Sequence, residues 1–303
     1  MGREPGDGRS VFAGVVMKTS QLNKLALTFA ASAAATAPVF AENWEDKAIA
    51  PVTNPIFFET PLIQSEVRPV FMSHRLDEDF LGADADVNLF ALQLRWAVTD
   101  RLAIIAVKDG YIQFEPAGAD STDGWADIAA GVKYAVIKDD EKQFVVTPGV
   151  TFEFPTGEDD VFQGNGDGAV NVFVSAMKGW DNLHITANVG AQIPFDAAAE
   201  TSNLHYSAMV DYYTCKWFIP FVAVNAFTTL SDAQGMPFDS EGFDLINFGS
   251  TDANGHTQVA VGAGFRTRIT PKVDLGFAYE WGVAPDNDIF KDRFTIDLIW
   301  RFL

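Results

Sequence analysis

From residue 65 to the C-terminus, apolar and polar residues alternate with period two rather than 3.6. In 272–283, Val273, Leu275, Phe277, Tyr279 and Trp281 form one face, opposed by Asp274, Gly276, Ala278 and Glu280. In 257–270, Val259, Val261, Ala263 and Phe265 oppose Gln258, Gly262, Gly264, Arg266 and Arg268. In 182–193, Leu183, Ile185, Ala187, Val189 and Ile193 oppose His184, Thr186, Asn188, Gly190 and Gln192. In 87–98, Phe90, Leu92, Leu94 and Trp96 oppose Gln93 and Arg95. The pattern predicts about twelve strands, over 65–75, 87–98, 101–114, 125–138, 142–154, 169–180, 182–193, 203–214, 217–229, 257–270, 272–283 and 290–303. Soluble strands average about five or six residues, whereas a tilted membrane strand needs about 9–11. These are long enough for the second role.

The connections alternate in length. "VTDR", "KDDEK", "GWDN", "YTCK" and "TPK" are tight turns, while 76–86, 115–124, 155–168, 194–202, 230–256 and 284–289 are longer. Short turns on one rim and long loops on the other is the plan of an outer-membrane barrel. The long loops are acidic, as in "LDEDFLGADAD" and "PTGEDDVFQGNGDG", and the short turns carry Arg101, Lys138, Lys142, Lys216 and Lys272. Solvation alone accounts for acidic loops anywhere, but not for this separation of sign between two rims.

Alternation also suits a soluble sandwich, whose apolar face points inward. The polar faces here are rich in Gly, Ala and Ser; Gly weakens a solvent-exposed strand, whereas small residues suit a crowded lumen. The apolar face carries aromatics near its ends. Trp96, Phe144, Tyr212, Trp300 and Phe302 lie by the short turns, and Phe152, Phe154 and Trp281 by the long loops. They form two interfacial girdles. The expected fold is therefore all-β, an antiparallel up-and-down transmembrane β-barrel.

Composition narrows the rest. The chain has 303 residues, a formal charge of −20, 26 Phe and 7 Trp, and a mean hydropathy of +0.05. After residue 41 it holds no apolar run of about 18 residues that would span a bilayer as a helix. Its acidity and lack of basic clusters argue against a nucleic-acid partner. Met17 to Lys24 is a basic stretch, Leu25 to Thr36 is short and apolar, and "APVFA" places small residues before Glu42. Residues 1–41 thus read as a signal peptide with an upstream mis-start at 1–16. Residues 42–63 have no clear period and either plug the lumen or hang in the periplasm; 64–303 form the barrel. The only Cys, Cys215, lies in a turn and has no intramolecular partner.

The ending "DRFTIDLIWRF" keeps Phe294, Ile296, Leu298, Trp300 and Phe302 on one face. It is similar to the assembly signal of bacterial outer-membrane barrels, although Leu303 follows the aromatic. Together with the signal segment and the strand series, it resembles the outer-membrane transporter-like group named after meta-pathway phenol degradation, relatives of the fatty-acid and aromatic-hydrocarbon channels. The resemblance implies an outer-membrane uptake barrel. Its partners are then the lipid and lipopolysaccharide of that membrane, and the barrel-assembly machinery through the last strand.

Twelve charged residues fall on the inferred lumen: Arg95, Asp127, Lys133, Glu153, Asp211, Arg266, Arg268, Asp274, Glu280, Arg293, Asp297 and Arg301. They form either a constriction that selects permeants or a salt-bridge network filling a narrow barrel. Asp274 and Glu280 are expected to pair across the sheet with Arg266, Arg268, Arg293 and Arg301. Phe173, Phe221 and Phe227 also point inward and suit apolar or aromatic solutes. His184 with Ser175, or His205 with Ser207, is the only arrangement suggesting a lipid hydrolase, and no G-x-S-x-G stretch supports it. "FQGNGDG" and "GADAD" lack calcium-loop spacing; a weaker reading has the acidic rim sharing divalent cations with lipopolysaccharide. No catalytic residue, cofactor or resident metal is expected. The function expected is passive passage of small solutes. The alternatives are a structural or adhesion barrel with a blocked lumen and, last, a hydrolase. Loop 230–256 is amphipathic enough to fold inward.

Overall fold

The computed structural model describes residues 43–77, 85–283 and 289–302; the expected signal segment, the tips of the first and last long loops and Leu303 lie outside the described residues. The chain forms β1 Glu66–Leu76, β2 Ala85–Ala97, β3 Leu102–Lys108, β4 Tyr111–Pro116, β5 Thr122–Trp125, β6 Ile128–Tyr134, β7 Ile137–Asp139 and β8 Phe144–Phe154. It continues through β9 Ala169–Trp180, β10 Leu183–Pro194, β11 Asn203–Tyr212, β12 Ile219–Thr229, β13 Thr257–Thr270, β14 Val273–Gly282 and β15 Phe290–Arg301. The segments β3 and β4 make one stave, and β5, β6 and β7 another, so twelve antiparallel staves surround the lumen. The ring closes where β1 pairs with both β2 and β15; Glu66 lies opposite Arg95 on one side and Arg301 on the other. Closure matters because an open edge in hydrocarbon leaves backbone groups without partners.

The apolar faces point outward. Phe90, Leu92, Leu94, Val172, Val189 and Val222 are exposed along the wall, and Trp96, Tyr212, Trp300, Phe152, Phe154 and Trp281 at its two ends. The opposite faces are buried: Gln93 and Arg95 on β2, His184, Thr186 and Asn188 on β10, Asp274, Ala278 and Glu280 on β14.

The third and fourth staves depart from simple alternation, and register shifts also interrupt the β1–β15 pairing at Arg75/Leu76 and the β13–β14 pairing at Arg268/Thr270. The third bends at Asp109–Gly110, where Gly110 adopts φ +122° and a Cβ would stand 2.5 Å from the Phe90 carbonyl. Ladder bonds lost there are replaced by side chains. The Asp109 carboxylate accepts the Leu92 N–H at 2.9 Å, and the Gln93 amide donates to the Val107 carbonyl at 2.6 Å. A register shift between Ala106 and Lys108 turns Lys108 inward beside Val107. The fourth stave breaks at Ala126–Asp127. Strict alternation sends Trp125 inward with Asp127, yet Trp125 is exposed and Asp127 buried. A bulge of this kind re-aims side chains on either side of it.

Two segments of the chain fill the lumen from its two ends. A short helix, α1 (Trp44–Lys47), starts a segment that enters from the short-turn end. Trp44 and Lys47 are tied there to Asp140 and Asp181. The segment turns back at Asn54, whose φ of +45° suits Asn. The Phe58 N–H donates to the Asn54 carbonyl at 2.9 Å, and the Asn54 side chain accepts the Phe57 N–H. Returning, it reaches Gln64, which accepts from Arg301 at 2.9 Å. From the other end, loop 230–256 folds inward and buries Phe243, Leu245, Ile246 and Phe248.

Candidate permeation site

The inward residues form two levels. At the short-turn level, three pairs of cations each clamp one carboxylate. Asp297 accepts from Arg68 Nε at 2.7 Å and from Arg266 Nη1 and Nη2 at 2.7 and 2.9 Å. Asp274 accepts from Arg268 Nε at 3.0 Å and Arg301 Nη2 at 2.9 Å. Glu59, from the inserted segment, accepts from Arg95 Nε and Nη2 at 2.9 and 2.6 Å and from Lys133 Nζ at 2.7 Å. Burial pushes the Glu59 carboxyl up, but Arg95 and Lys133 outweigh it and hold its pKa down at about 2.

The expected partners differ in an instructive way. Arg266 sits across from Gly276 on β14, and Gly276 across from Asp297 on β15. Because Gly276 has no side chain, Arg266 reaches over β14 to Asp297 rather than pairing with Asp274. A Cβ at Gly276 would stand 2.5 Å from Asp297 Oδ1. Asp274 does pair with Arg268 and Arg301. Asp211 Oδ1, on the same level, lies 2.8 Å from His184 Nδ1.

The same cations hold the segment by its backbone. Arg68 Nη2 donates to the Pro51 carbonyl at 2.7 Å, Arg266 Nη2 to Ala50 at 3.1 Å and Arg268 Nη2 to Ala48 at 3.2 Å. Lys133 donates to Thr60 and Leu62 at 2.7 and 2.8 Å, Thr147 to Pro61 at 2.7 Å, and Ser175 to Glu59 at 2.6 Å. Carbonyls outnumber side chains as the segment's acceptors, which suits a chain poor in periodic pattern.

At the long-loop level the filling is aromatic. Phe57, Phe227, Phe243 and Phe290 follow one another with ring centroids 5.5, 4.5 and 4.8 Å apart. Arg293 bonds Asp244 of the inward loop at 2.9 and 2.5 Å and His74 Nδ1 at 3.0 Å. Glu280 stands opposite Arg293 in register but accepts from Asn225 at 2.9 Å. Nearer the loops, Lys108 bonds Glu153 at 2.5 Å, and Asp127 accepts the N–H groups of Gly157 and Gly164 at 2.8 and 3.1 Å. Glu200 lines one small cavity with Lys108, Asp127 and Glu153; burial first, then Glu153, raises its carboxyl to about 7.

All twelve charged positions read from the sequence point inward, divided between the two levels. Glu59, Glu66, Arg68, Lys108 and Asp244 escaped that reading. Arg68 and Glu66 share the inward parity of Val70 and Met72; β1 carries apolar residues on both faces, so alternation gave no signal for them. Glu59 and Asp244 lie in aperiodic segments, and Lys108 stands at the register shift. Neither histidine meets a serine: His205 Nε2 lies 2.8 Å from Asn171 Oδ1, and the Ser175 hydroxyl is given to Glu59. Phe173, Phe221 and Phe227 are buried on the inner wall.

Comparison with known proteins agrees with this architecture. The model of the family described as the MetA pathway of phenol degradation matches residues 67–298. An outer-membrane channel from Pseudomonas putida F1 superposes with a TM-score of 0.56 at 13% identity, covering 84% of this chain and all of that one. The NanC porin superposes with a TM-score of 0.50 at 11% identity, covering 78% of this chain and all of that one. At these identities the likeness is one of fold. No curated protein matches the chain in sequence.

Proposed function

We propose that this chain, which belongs to the family described as the MetA pathway of phenol degradation, is a bacterial outer-membrane channel for the passive passage of small solutes, aromatic or apolar ones among them. Its long loops face outward and its short turns face the periplasm. One observation carries the reading. Inside a closed, lipid-facing ring lies a segment held without covalent bonds, largely through its carbonyls. A barrel built only as a scaffold has no need of a removable filling. The inner ends of both fillings are aromatic, from Phe57 on the segment to Phe243 on the loop.

The structure is then the resting, occluded state, and passage requires the segment, the loop or both to move. Single-channel recording in planar bilayers tests this. Deleting residues 43–64 is expected to raise conductance several-fold over the intact chain, and deleting 236–250 to raise it less. Unchanged conductance in both deletions rejects occlusion. Swelling of proteoliposomes in sugars of graded size then gives the cut-off of the opened pore.

A further inference from the structure

The three clamped carboxylates at the short-turn level are not equivalent. Asp297 and Asp274 belong to the wall; Glu59 belongs to the inserted segment. Without that segment the wall leaves Arg95 the neutral Gln93 Oε1 at 3.3 Å but offers Arg95 and Lys133 no hydrogen-bonded carboxylate. Glu66 lies 3.4 Å from Arg95, with neither of its oxygens hydrogen-bonded, and it is one carboxylate facing two cations. Arg95 and Lys133 are 2% and 1% exposed. Buried cations stripped of their partner are strongly disfavoured, so the segment leaves readily only when another anion takes the place of Glu59.

The surroundings say what kind of anion. Ile105 stands opposite Arg95 on β3, and Gly149 opposite Lys133 on β8. The Phe173 ring lies over Gly149, where a Cβ would come within 2.3 Å of it. Ile105, Val107, Ala129 and Phe173 form one apolar cluster, and Ile63 of the segment packs against it. The segment therefore presents a carboxylate to two cations and an apolar side chain to the adjoining patch.

We propose that Arg95 and Lys133, with the Ile105–Phe173 patch beside them, form a binding station for permeants that carry one carboxylate on an apolar or aryl body, and that Glu59 with Ile63 occupies it as a built-in stand-in. Such a permeant competes with the segment and so opens its own way. The forked guanidinium of Arg95 meets a carboxylate through two parallel bonds, a match that chloride lacks. This inference rests on the channel reading above and adds its substrate class.

Planar bilayers holding the intact chain test it with potassium benzoate, potassium chloride and benzyltrimethylammonium chloride at equal concentration. Benzoate is expected to raise open-channel occupancy about tenfold over the other two salts, and Arg95→Gln or Lys133→Met to abolish that difference. A second measurement needs no variant. Protease cleavage within 43–64, in detergent micelles, is expected to quicken with benzoate and not with benzyltrimethylammonium. Equal opening in all three salts, with cleavage indifferent to benzoate, overturns the station and leaves the channel standing. Absence of conductance in every salt, even after deletion of 43–64, overturns the channel reading and the station with it.

Discussion

The two halves of the lumen are filled by different physics. Toward the short turns, cations of the wall share three carboxylates and grip a backbone. Toward the long loops, phenyl rings pack edge-on or tilted against one another, and one arginine ties down the loop that contributes Phe243. A buried ion pair is costly to half-remove, because the remaining charge has no water. Apolar contact is lost gradually, in proportion to area. The inner closure should therefore behave as a switch, shut or released, whereas the outer one should loosen by degrees.

The largest expected effect comes from the wall's own ion cluster. Asp297→Ala leaves Arg68 and Arg266 buried without their carboxylate, an expected loss of about 3–5 kcal/mol of barrel stability. Urea unfolding in micelles, followed by tryptophan fluorescence, measures it. A loss as small as a surface substitution would erase the distinction between the halves.

Phe243→Ala acts at the other level. It removes the ring between Phe227 and Phe290, worth about 3 kcal/mol of local packing. The loop, not the barrel, should respond. Proteolysis within 230–256 is expected to accelerate by about two orders of magnitude, the equivalent of that energy, while the unfolding midpoint of the barrel stays put. A shift of the midpoint instead would make the two halves one cooperative unit.

Gly276→Val is expected to cost about 1–3 kcal/mol by overpacking, since its side chain would stand where Arg266 crosses to Asp297. The same unfolding assay reads it, and the effect should fall on the inner level with the outer loop unchanged.

The smallest effect is a response to pH, and it differs in sign. Glu59 falls from an ordinary 4.5 to about 2 in the folded chain. Its contribution is complete above pH 4.5 and is lost as pH falls toward 2. Glu200 rises from 4.5 to about 7, so its contribution is complete below pH 4.5 and is lost as pH rises through 7. Between pH 5 and 8, then, cleavage near Glu200 should increase with pH, while the Glu59 contribution to the closure by 43–64 does not change. Parallel profiles would count against separate closures.

The staves were legible because each is a local pattern. Strand 272–283 shows its lipid face and its inner face without reference to any other residue, and the structure keeps both. Alternation was blind where backbone geometry interrupts it. Nothing in the letters around Lys108 announces the register shift that turns it inward, and Trp125 reads as an inward residue until the break at Ala126–Asp127 is seen. Glu59 was hidden for another reason. Its neighbours have no period, and its partners lie on strands far along the chain.

Strand length, side-chain parity and the alternation of short and long connections follow from the local geometry of an extended chain, so the amino-acid order alone specifies a ring with a greasy exterior. The contents of the ring do not follow from it. Arg68 meets Asp297 across 229 positions and Arg95 meets Glu59 across 36. Such partners are chosen by closure, register and the space left between walls, including the gap that Gly276 leaves for Arg266, and those exist only once the barrel has formed.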